Sequence, residues 1–180
     1  MDKYFEAIDF AQNAHKGQYR KGSHTPYIVH PLSVMEILIR NNAKEEVAIA
    51  GVLHDVVEDT EYTLEDIRER FGERVAKLVS YASEPHKDAP WKNRKEHTIE
   101  LLRTLDDKDA LYVICADKYH NICSMIKDYE ILGDMLWSKF KYGREDQKWY
   151  YKTVAEILLS HDEEDDFFKR YMEKVKKFFG

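Results

Sequence analysis

Val52-Leu53-His54-Asp55-Val56-Val57-Glu58-Asp59-Thr60 sets four ionisable groups in an apolar frame that also includes Ala48, Ile49 and Ala50. The run has no proline and its one glycine is Gly51, so the spacing predicts a largely buried helix from Lys44 to about Asp59. An unpaired buried carboxylate or imidazole is strongly disfavoured, because desolvating its charge is costly. A metal ion is the most economical partner for a neighbouring His and Asp. If the helix persists, Glu58 lies one turn beyond His54 on the same face, beside a metal without being its ligand. A His-Asp pair alone proves little. His161-Asp162 is the internal control, since it runs into Glu163-Glu164-Asp165-Asp166 and reads as a solvated turn and helix start. Only the first pair has an apolar setting.

Working outward, 180 residues with 43% hydrophobic and 34% charged side chains read as a soluble globular chain of one domain, 1–180. A net charge of −6 argues against a non-specific nucleic-acid binder but leaves room for a basic pocket and an anionic small substrate. Cys115 and Cys123 stand about two helical turns apart, beyond disulfide reach within one straight helix, and read as free thiols. No charged-then-apolar leader opens the chain and no apolar run is long enough to span a bilayer, so the expected location is cytoplasmic, away from membranes.

Helical periodicity extends through nearly the whole sequence. Helices are expected over Asp2–Lys16, with Phe5, Ile8 and Ala11 as apolar positions and Gly17 as the stop, and from His30-Pro31 to Asn41, with Leu32, Met35, Leu38 and Ile39 facing the core. Residues 17–29 form a loop. Thr63-Leu64-Glu65-Asp66 resembles a capping box opening a short helix that Gly72 ends. Further helices are expected over Glu73–Ser83, Trp91–Leu105, Asp109–Lys127, Arg144–Ser160 and Glu163–Phe179, with a loop at 84–91. His15, His24, His86, His97 and His161 read as surface or loop histidines. No segment alternates with period two long enough to argue a strand. The fold class is all-α.

The second informative stretch is Cys115-Ala116-Asp117-Lys118-Tyr119-His120-Asn121, again in apolar surroundings, with Asp117 and Asn121 on one helix face. Asp117 completes a set of two imidazoles and two carboxylates with His30, His54 and Asp55. Such ligands suit a divalent metal such as Mn²⁺, Fe²⁺ or Zn²⁺ with positions left for water.

Three blocks in order, His30 within Pro26-Tyr27-Ile28-Val29-His30-Pro31, then Leu53 to Thr60, then Ala116 to Asn121, resemble the HD-domain hydrolases. The likeness is to the hydrolase domain of RelA/SpoT-type enzymes and their small stand-alone relatives, and runs from about Tyr4 to Lys152. The resemblance implies an HD-domain helical bundle in which His30, His54, Asp55 and Asp117 bind Mn²⁺, and an activity that removes the 3′-pyrophosphate from the nucleotide (p)ppGpp. It implies that Glu58 and Asp59 position or deprotonate the attacking water. It further implies that Arg20, Lys21, Asn121 and Ser124 contact the nucleotide. The chain departs from the family at Val29, where Asn is common, and at Gly22-Ser23-His24-Thr25, where the loop is usually acidic or glycine-rich. The altered loop keeps another nucleotide or phosphate ester open as substrate; a catalytically silent nucleotide sensor is the other alternative, and the retention of His30, His54, Asp55, Asp117 and Glu58 argues against it.

Overall fold

A computed structural model describes residues 2–84 and 88–180. The loop expected over 84–91 therefore falls partly outside the described residues, as does His86. Helices α1 (Lys3–Ala14), α2 (Val29–Arg40), α3 (Glu45–Leu53), α4 (Val56–Asp59), α5 (Leu64–Phe71) and α6 (Glu73–Ala82) precede α7 (Trp91–Thr104) and α8 (Lys108–Leu132). A 3₁₀ segment (Gly133–Lys139), α9 (Arg144–His161) and α10 (Asp166–Phe179) follow. Among the described residues there is no strand, only an antiparallel bridge between Tyr19 and Pro26. No described helix is long and apolar enough to cross a membrane.

The backbone groups into two compact units, Met1–Ala89 with Asp106–Asp117, and Pro90–Leu105 with Lys118–Gly180. In the first, α3 is the axis. Every residue from Val47 to Leu53 is buried, which a helix accepts only when surrounded, and α1, α2 and α6 all pack against it. Gly51 faces α2 with no room for a side chain, since a Cβ there would overlap Leu38 Cδ1. The buried stripe of α2 is His30, Pro31, Val34, Met35 and Leu38. Leu32 and Ile39, expected in the core, are exposed because the inward face includes His30 and so is rotated from a purely apolar reading. For the same reason of phase, Ala7, Phe10 and Ala11 line the inner face of α1 while Phe5 is exposed.

Local signals set the helix ends. The Asp2 carboxylate accepts the Tyr4 N–H at 2.9 Å, and the Thr63–Asp66 capping box is complete in both directions. Gly72, at φ 93°, ends α5 and opens α6. On α6, the Arg74 guanidinium grips Asp107 through both oxygens at 2.6 and 2.9 Å and reaches Asp109 at 2.7 Å. That fork fixes where α8 starts and hence the register of Asp117, less than three turns on.

In the second unit, α9 packs against α7 and α10. Asp165 caps α10 by accepting the N–H groups of Phe167 and Phe168, and Phe167, Phe168, Tyr171, Met172, Val175 and Phe179 form its buried face. α8 continues to Leu132, beyond the expected Lys127. Cys115 and Cys123 are free thiols, as expected.

Candidate metal centre

The helix expected from Lys44 to Asp59 breaks at His54–Asp55. The cause is local. The His54 ring nitrogen Nδ1 lies 2.8 Å from the Gly51 carbonyl, the acceptor that the Asp55 N–H would use if the helix continued. A carbonyl only accepts, so Nδ1 donates, and the neutral ring presents Nε2 as its lone pair.

That Nε2 is buried and makes no well-directed hydrogen bond. It lies 3.0 Å from Asp55 Oδ2 and 3.7 Å from Asp117 Oδ1. His30, in the first turn of α2, places its own Nε2 at 3.5 Å from Asp55 Oδ2 and 3.2 Å from Asp117 Oδ1. One ligand atom each from His30, His54 and Asp117 lies within 4.8 Å of the others, and all three residues are buried. Four donor side chains thus converge on one volume from α2, the α3–α4 turn and α8, all within the first unit. Two imidazole nitrogens with carboxylate oxygens fit a divalent ion of intermediate hardness. Without an ion the charges hold one another. Burial pushes Asp55 up, but His54 and His30 overcome this and hold it well below the usual carboxylate range. Burial pushes His54 down, yet Asp55 and Asp117 hold it well above the usual imidazole range.

Beyond the break, Glu58 lies in the short helix α4. Its Oε2 accepts the Glu84 N–H at 2.9 Å, and burial raises its pKa, with the nearby Asp55 carboxylate adding to the rise. Asp59 meets the Tyr27 hydroxyl at 3.2 Å, and the same hydroxyl donates to Asp55 Oδ2 at 2.6 Å. Burial and those carboxylates raise the Tyr27 pKa far above its usual value, so the phenol remains a donor. Arg20 lies with its guanidinium 5.7 Å from the Tyr27 ring centre, while Lys21 is exposed in the same loop. Asn121 and Ser124 are half-buried on α8, in the second unit.

Sequence reasoning missed Tyr27 and misplaced His15. His15 is 3% exposed, packs its ring 4.9 Å from that of Tyr27, and lies with Nδ1 2.9 Å from Gln18 Oε1. Gln18 in turn donates to the Asp59 carbonyl at 2.8 Å. The available signal was Tyr27 itself, a tyrosine directly before the apolar pair leading into His30.

The sequence profile described as HD domain matches residues 7–132, more than two thirds of the chain. A guanosine-3′,5′-bis(diphosphate) 3′-pyrophosphohydrolase from Haemophilus influenzae is 37% identical over 117 residues, covering 62% of this chain and 17% of the relative's length. The chain therefore spans a small part of such curated relatives. Among solved structures, lmo0812 from Listeria monocytogenes EGD-e is similar at 41% identity and TM-score 0.74, covering 86% of this chain and 96% of that one. A metazoan ortholog of SpoT, described as hydrolysing ppGpp, is similar at 26% identity and TM-score 0.81, covering 100% of this chain and 97% of its own.

Proposed function

This chain belongs to the HD-domain family, and from that premise we propose that it is a metal-dependent phosphohydrolase working as one HD domain over residues 1–180, with (p)ppGpp as substrate and Mn²⁺ as metal. The observation that carries this reading is the meeting of buried His30, His54 and Asp117, whose ligand atoms lie within 4.8 Å of one another, with half-buried Asp55, whose Oδ2 lies 3.5 and 3.0 Å from the two ring nitrogens. The names of the Haemophilus and metazoan relatives support the choice of nucleotide. The donor set is compatible with Mn²⁺, whose nitrogen and oxygen ligands these are.

His30, His54, Asp55 and Asp117 would hold the ion, which when bound would supply the Lewis acidity that acidifies water and polarises a phosphoryl oxygen. Water adds to the 3′-linked phosphorus, and the bond from phosphorus to the ribose 3′ oxygen breaks. Pyrophosphate and a 3′-hydroxyl nucleotide are released. Glu58 accepts a proton from the water, a role matched to a carboxylate whose pKa is raised. Asp59 orients that water. Arg20 stacks on the base, while Lys21 meets phosphate.

The test pairs metal binding with turnover. Wild-type protein titrated with Mn²⁺ is expected to bind about one ion tightly and to release pyrophosphate from ppGpp. Asp55→Ala is expected to lose both, with turnover down about a thousandfold or more. Undiminished hydrolysis by Asp55→Ala would overturn the assignment. Inertness toward ppGpp, with turnover of a dinucleotide phosphate or a deoxynucleotide in the same panel, would move the substrate and leave the metal chemistry in place.

A further inference from the structure

We propose that Tyr27 is a positioning residue that fixes two acidic groups of the metal site through its hydroxyl and the substrate-side arginine through its ring. This rests on the phosphohydrolase reading above. Three observations meet at this side chain. Its hydroxyl lies 2.6 Å from Asp55 Oδ2, the same oxygen that faces His54 Nε2 and His30 Nε2, and 3.2 Å from Asp59 Oδ2. Its ring is held by His15 at 4.9 Å and carries the Arg20 guanidinium at 5.7 Å. Its backbone N–H donates to the Gln18 carbonyl at 2.9 Å, closing the loop over the Tyr19–Pro26 bridge.

The physical need is clear from charge. Asp55 and Asp59 are neighbouring carboxylates, and like charges held close repel in a poorly solvated site. A neutral hydroxyl between them is a donor to whichever oxygen it faces, and it limits where the metal-facing oxygen of Asp55 can swing. Gln18 holds the other end of the same short segment by donating to the Asp59 carbonyl, and His15 holds Gln18. Outer partners of this kind orient ligating carboxylates, and their loss typically costs 10- to 100-fold in metal affinity.

Two substitutions separate the two halves of the role. Tyr27→Phe keeps the ring under Arg20 and removes the hydroxyl. Its Mn²⁺ dissociation constant, measured by titration calorimetry on metal-stripped protein, is expected to rise about 10- to 100-fold. At saturating Mn²⁺ its KM is expected to match wild type. Tyr27→Leu removes both contacts and is expected to add an increase in KM to the same loss of metal affinity. Melting of the metal-free proteins is the check on folding. Tyr27→Phe binding Mn²⁺ as tightly as wild type would overturn the proposal, as would a KM raised equally in both variants. Failure of wild type itself to bind metal would instead sink the reading on which the proposal stands, so the two failures are distinguishable.

Discussion

Burial raises the Glu58 carboxyl above its usual range, and the Glu84 N–H bonded to Oε2 offsets only part of this. A general base must be ionised to take a proton, so its share of the active form falls as pH drops through the raised value. The acid limb of kcat at saturating Mn²⁺ is therefore expected above the pH where an exposed glutamate titrates. Glu58→Gln is expected to lose about 10²- to 10⁴-fold in kcat together with that limb. A wild-type profile that stays flat into the ordinary glutamate range would remove Glu58 from the role. At this scale the sequence was most legible. His54, Asp55 and Asp117 stand out because ionisable groups in apolar frames demand partners, His30 joins them through the block Pro26–Pro31 that carries the family resemblance, and the structure brings all four together. His15 was not legible, because a histidine at a helix end carries no sign of its burial until the following loop folds back, and Tyr27 offered only its place before the apolar pair leading into His30.

Between elements, α2 packs on α3 at Gly51, where an added Cβ would overlap Leu38 Cδ1. Gly51→Ala gains about 1 kcal/mol of helix propensity but forces Leu38 aside in a full core, an overpacking cost of about 1–3 kcal/mol. A net destabilisation of about 1 kcal/mol by denaturant melting is expected, with weaker Mn²⁺ binding as α2 is displaced. Adding Leu38→Ala should restore part of the metal affinity, because it vacates the space the new methyl needs. Unchanged affinity in Gly51→Ala would show that α2 does not set the ligand spacing. Helix ends with a chemical cause, such as the Thr63–Asp66 box and Gly72, were readable in advance. The break at His54–Asp55 was not, since apolar periodicity continues through it and only the ring's capture of the Gly51 carbonyl interrupts the ladder.

For the whole molecule, all four proposed ligands lie in the first compact unit, and their binding to an ion stabilises only the folded form of that unit. Mn²⁺ at a hundred times its dissociation constant contributes about 2.7 kcal/mol, or roughly 5–10 °C in the melting transition of a chain this size. Chelator should reverse the shift. A transition indifferent to Mn²⁺ and chelator would mean that no ion is held. The all-helical class was plain from periodicity, whereas the division into two units was hidden, because its boundary at Asp117–Lys118 falls inside an uninterrupted helix where composition does not change. The wide separation of the donors along the chain has a consequence during synthesis. Until Asp117 has left the ribosome and its helix has docked, the proposed ligand set is incomplete, so on this proposal capture of a cation would follow completion of the unit.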